Sequence, residues 1–268
     1  MKFFLIIGGT GVMGTSAIKA IREHFDENIT IVANWYGKAD SGILIEGADH
    51  TVFGDINDSN CRKQIQSFNN GKFDYMLYAT ALGDVGIPIK DASQDQIDRS
   101  NKLSFDPIPQ LENELNIGTI VAYSTFYNIR HQLCTYGAMG HSKENIEKWT
   151  VNSGGKSKHV CIRAGLFESP SSRGIKLLLR KTSKNLDNIR DPLLRSYFEN
   201  IPSSEGIKKF EEGIFAEEKE LYGDCRTGKE DLFTAHLELF KSDNPIFINV
   251  CGKKVWQSGE PLLLSQYI

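Results

Sequence analysis

The chain has 268 residues, 40% of them hydrophobic and 24% charged, with a formal net charge of -3. That is enough for one large domain with a packed core, and it argues against disorder. It also excludes the basic footprint of a nucleic-acid or anionic-membrane binder, and no apolar run approaches the roughly 20 residues that span a bilayer.

The five cysteines (Cys61, Cys134, Cys161, Cys225, Cys251) are scattered and show no CxxC spacing. They read as reduced thiols, with no disulfide framework and no metal site. Lys2 precedes a short apolar run, but the run is about half a minimal signal-peptide h-region and glycines follow at once. The expected location is cytoplasmic.

Phe3–Ile7 is a continuous apolar run, as expected of a strand buried on both faces. It leads into GGTGVMG, where Gly8, Gly11 and Gly14 are spaced GxxGxxG. In a strand–turn–helix unit this spacing builds a dinucleotide floor. The first glycine makes the sharp turn, the second admits the pyrophosphate, and the third lets the helix pack on the sheet. The floor comprises Gly8, Thr10, Gly11, Val12, Met13 and Gly14. The helix beginning near Val12 aims its free N–H groups at a phosphate. Ala17, Ile18, Ile21 and Phe25 follow at helical spacing.

The second strand, Ile29–Ala33, ends in Asn34, where a carboxylate would grip both ribose hydroxyls. No acidic residue appears before Asp40, and Lys38 is placed to pair with a 2′-phosphate. This favours NADP, with NAD as the alternative.

Asp49–Phe53, Tyr75–Ala79, Thr119–Tyr123 and His159–Arg163 read as further strands. Asn60–Phe68, Gln94–Phe105 and Tyr136–Val151 read as helices between them. The alternation predicts a Rossmann-like doubly wound parallel sheet with helices on both faces, forming one nucleotide-binding domain over 1–268. After Gly165 the alternation stops. Gly174–Ser183, Asn188–Glu199, Glu205–Tyr222 and Glu230–Phe240 read as helices before a last strand at Pro245–Val250. The stretch 168–235 is expected to lie over the carboxyl ends of the strands, where open sheets bind ligands.

The pattern resembles the short-chain dehydrogenase/reductase superfamily. GGTGVMG is similar to the glycine motif of its extended and atypical members. GDIND resembles the loop after the third strand, which implies that Asp55 contacts the adenine and Ile56 covers it. YATALG resembles the turn after the fourth strand, so Ala79, Thr80 and Ala81 would line the cofactor. DRSNKLSF implies Asn101 as the residue anchoring a proton-relay water. IRAGLFESP implies that Ala164, Gly165 and Phe167 lie near the nicotinamide.

The segment VAYSTFYNIRHQLCTYGAMGHSKENIEKW carries the catalytic resemblance. Ser124 matches the strand-end serine and Lys143 the lysine of YxxxK, but Met139 occupies the usual tyrosine position. Tyr136 precedes Lys143 by seven residues, similar to the Tyr-x6-Lys pair of enoyl-acyl-carrier-protein reductases. On one regular helix the two would share a face within about 20° and stand about 10 Å apart. Tyr127 is a second candidate phenol. The implied activity is hydride transfer to a carbonyl or conjugated enoyl group of a small-molecule substrate. A nucleotide-binding protein without turnover, or a nucleotide-sugar epimerase or dehydratase, are the alternatives. The family also implies a homodimer or homotetramer paired through Gln94–Phe105 and Tyr136–Val151.

Overall fold

The computed structural model describes residues 1–25, 28–36, 44–152 and 154–268. Eight strands form one sheet in the order β3-β2-β1-β4-β5-β6-β7-β8. They are β1 (Lys2–Ile7), β2 (Ile29–Trp35), β3 (His50–Phe53), β4 (Lys72–Tyr78), β5 (Asn116–Thr125), β6 (Lys158–Ala164), β7 (Phe247–Cys251) and β8 (Lys254–Ser258). All neighbours are parallel except β7 and β8. The predicted doubly wound α/β architecture is the observed one.

Strand alternation explains the two layers. Phe4, Ile6, Ile31, Leu77, Val121 and Ile162 face one side, covered by Ile18 and Ile21 of α1 (Val12–His24). Their neighbours Leu5, Ile7, Val32, Met76, Ile120 and Cys161 face the other side. There they meet Ile65 of α2 (Ser59–Ser67) and Leu111 of a helix at Pro107–Glu114. The run Phe3–Ile7 is continuous because both of its faces are buried.

The remaining helices, with α3 at Gln94–Ser104 and α4 at Pro107–Glu114, are α5 (Arg130–Leu133), α6 (Gly137–Val151), α7 (Pro170–Thr182), α8 (Pro192–Ser196), α9 (Ser203–Tyr222) and α10 (Lys229–Lys241). The region after β6 divides. Leu179 of α7, Leu194 of α8, and Phe210 and Ile214 of α9 form a separate apolar cluster with Phe126 and Ile129. In contrast, α10 places Leu232 and Leu239 in the core layer with α1. The predicted helix Asn188–Glu199 is reduced to α8, which starts at Pro192 with Asp191 accepting from the Leu194 N–H at 3.0 Å.

The tail after β8 lies against α6. Leu262 N–H donates to Glu147 at 2.6 Å and Leu264 N–H to Glu144 at 2.8 Å. Only Lys148 and Val151 of α6 are exposed, so the helix expected to meet a second copy is covered largely by its own chain.

Candidate active site

A cleft of about 450 Å³ opens at the carboxyl ends of the strands, within the usual range for a small-molecule site. The glycine turn forms one end. Gly8 has φ +82, a left-handed conformation that favours glycine. A Cβ at Gly14 would clash with the Gly8 carbonyl, so the helix sits directly on the turn. Gly8, Thr10, Gly11, Val12 and Met13 line the cleft, whereas Gly14 lies beneath it.

Asn34 lines the cleft at the end of β2 with Trp35, Tyr36 and, after β3, Ile56. Its amide donates to the carbonyls of Val52 and Gly54, both at 3.2 Å, and so ties β2 to the end of β3. Lys38 lies outside the described residues. Asp55 does not line the cleft, because its carboxylate accepts from the backbone N–H of Asn57 at 2.9 Å in a local turn. Ala79, Thr80 and Ala81 line the middle of the cleft, and Gly165 and Phe167 the far side. Ala164 does not; its carbonyl accepts from Thr125 Oγ1 at 2.8 Å.

Among the catalytic candidates, Ser124, Tyr136 and Lys143 share this cleft. Asn101 does not reach it. Its carbonyl accepts from Phe105 and Asp106, and its side chain accepts from Ser142 Oγ at 2.8 Å, fastening α3 to α6. No carbonyl is left over there for a relay water.

Lys143 is buried and donates to the carbonyl of Tyr123 at 2.8 Å. Burial pulls its ammonium down to about 8, against the opposing pull of Cys161 and Glu147. Tyr136 has a phenol without a hydrogen-bond partner among the described residues, and burial raises its pKa.

The two reach the cleft by a different route from the shared helix face read in the sequence. Tyr136 is the cap residue before α6, and Gly137 follows it with φ +48. That left-handed residue turns the ring independently of the helical phase. Met139 meanwhile packs toward α3, where Ser100 Oγ lies 3.5 Å from its sulfur. Tyr127 is fully buried and donates to the carbonyl of Leu262, away from the cleft lining.

Beneath the cleft, Ser124 Oγ donates to Glu147 at 2.6 Å, and Arg163 grips the same carboxylate at 3.1 and 2.7 Å. Several ties attach α9 to the base, two of them through neighbouring glutamates. Glu218 accepts from the Leu166 N–H at 2.6 Å, and Glu217 pairs with His131 at 2.6 Å. Glu218 is buried with one oxygen unpartnered, and burial raises its carboxyl to about 7.

The end of the cleft beneath α7 and α9 has Ile175, Leu179, Ile207, Phe210 and Ile214, residues that carried no motif in the sequence. Lys176 and Glu211 line it too, paired at 2.6 Å between α7 and α9. Gln132, also unread in the sequence, sits beside Tyr136.

A short-chain dehydrogenase family protein from Francisella tularensis subsp. tularensis SCHU S4 matches with TM-score 0.60 at 16% identity, covering 94% of this chain and 98% of that one. The fold is that of the short-chain dehydrogenases/reductases. A short-chain dehydrogenase/reductase from Saccharomyces cerevisiae matches with TM-score 0.58 at 16% identity, over 89% and 90% of the two chains. The closed form of serine dehydrogenase complexed with NADP+ gives 0.50 at 13% identity, over 62% and 73%. No protein-family model and no curated protein sequence matches the chain. The short-chain dehydrogenase/reductase likeness therefore rests on backbone shape. Among the described residues no helix is long and apolar enough to cross a membrane, and no cluster of three metal-ligating side chains occurs.

Proposed function

We propose that the chain is an NAD(P)H-dependent oxidoreductase of the short-chain dehydrogenase/reductase superfamily that reduces a carbonyl or conjugated enoyl group. One observation carries this reading: Tyr136 and Lys143 line the same cleft as the Gly8–Gly14 turn. The glycine turn has room for a pyrophosphate against the first N–H groups of α1. A nicotinamide dinucleotide supplies the hydride when bound. Lys143, anchored on Tyr123, retains two N–H groups to hold the ribose side. Tyr136 donates its phenol to the oxygen on which charge develops. The apolar cap keeps water from the reacting atoms.

NADP is the proposed cofactor over NAD. The support is the neutral Asn34 at the adenine end and the absence of a lining carboxylate there among the described residues. A cytoplasmic setting is proposed with it, in keeping with five free cysteines.

The test is a fluorescence titration with NADPH and separately with NADH, following nicotinamide emission and tryptophan quenching. Saturable binding of NADPH at lower concentration than NADH is expected. Preference for NADH overturns the cofactor assignment, and no binding of either overturns the enzyme reading.

A further inference from the structure

The polar side chains around the substrate end are nearly all committed. Ser124 donates to Glu147, and Thr125 Oγ1 to the Ala164 carbonyl at 2.8 Å. Thr135 Oγ1 donates to the His131 carbonyl at 2.8 Å. Ser169 and Ser172 close a reciprocal cap at the start of α7. Lys176 and Glu211 neutralise each other. Besides Lys143, whose spare N–H groups are assigned above to the cofactor side, the Tyr136 phenol and the carboxamide of Gln132 make no side-chain hydrogen bond among the described residues.

Gln132 is only 6% exposed and lines the cleft. Its side chain makes no hydrogen bond among the described residues, and its polar atoms are not among the fully enclosed unpaired ones. A buried carboxamide left without a partner is unfavourable. The Gln132 carbonyl accepts the Tyr136 N–H at 2.8 Å, which sets the two residues one helical turn apart.

We propose that Gln132 is a specificity-determining residue that binds a second oxygen of the substrate while Tyr136 binds the reducible one. The substrate class is an uncharged, mainly apolar carbonyl compound with a second carbonyl or hydroxyl beside the reacting carbonyl. Its apolar body lies against Leu179, Phe210 and Ile214. A charged group finds no unpaired counter-charge in the cap. This proposal rests on the reductase reading for what happens at Tyr136, while binding at Gln132 is separable from it.

The experiment compares 2,3-octanedione with 2-octanone, using wild-type protein, Gln132→Leu and Gln132→Met. Binding is measured by calorimetry with and without NADPH, and turnover by NADPH consumption. Because the dione is the more electrophilic, the deciding quantity is the change in the dione-to-ketone ratio on substitution. A fall of about tenfold or more in both variants, with the 2-octanone values retained, is expected. An unchanged ratio overturns the proposal, as does failure of the dione to bind wild-type protein. Dione binding that depends on Gln132 but is never followed by NADPH consumption upholds the proposal and overturns the reductase reading.

Discussion

Ser124 and Glu147 are joined by a 2.6 Å hydrogen bond in which the serine is the donor. The hydroxyl therefore faces the cleft chiefly as an acceptor, and the carboxylate that orients it is itself fixed by Arg163. Ser124→Ala removes one of several donors to Glu147 and should cost about 1 kcal/mol. Glu147→Ala strands a buried guanidinium and should cost about 3–5 kcal/mol. Urea unfolding of both variants measures the difference; equal losses would refute the ordering.

Tyr136→Phe removes the free phenol and little else. Turnover should fall by about a hundredfold or more, with NADPH affinity changed less than about twofold because the ring stays. Steady-state kinetics alongside a cofactor titration separate the two effects, and undiminished turnover would remove Tyr136 from the chemistry.

Lys143 should impose an alkaline limb on the reaction. Its ammonium, lowered by burial to about 8, is charged below that pH and neutral above it. Reductive kcat/KM should fall as pH rises through about 8. The residual activity of Lys143→Met should show no such limb; its persistence would assign the limb to another group.

Glu218 should make stability pH-dependent in the opposite sense to an ion-paired carboxylate. Its folded pKa of about 7 stands above the ordinary value of 4.5. The folded state therefore holds a proton that the unfolded chain releases first. The stabilising contribution is full below pH 4.5 and is lost as pH rises through about 7. Melting temperatures of wild type and Glu218→Gln across this window should converge at the acid end and diverge toward neutrality, with the variant the more stable. Parallel curves would show that Glu218 does not titrate there.

The β-α alternation was legible because each buried strand is an apolar run and each helix keeps its period. The glycine turn was legible because at Gly8 and Gly14 only glycine meets the steric demands. Elsewhere local pattern gave less. The helix Pro107–Glu114 is obscured by two prolines, and β8 is a polar edge strand that reads as loop. Asp55 looked like a ligand but spends its carboxylate on its own turn. Asn101 was placed on the right helix, yet its carbonyl closes that helix. Tyr136 was found by its spacing to Lys143, although a straight helix misstates how the ring arrives. Gln132 left no signal, since an unpaired amide is recognisable only when every neighbouring donor and acceptor has been accounted for.

Gly137 also limits how this site can be rebuilt. An engineer restoring the common YxxxK spacing would change Met139 to tyrosine. At that position the ring would enter the tight seam of Ser100, Ser104 and Gly83, where a phenol finds no substrate. Retiring Tyr136 at the same time would remove the phenol proposed as the proton donor. The left-handed Gly137 and the packing of Met139 against α3 thus separate two designs that look three letters apart.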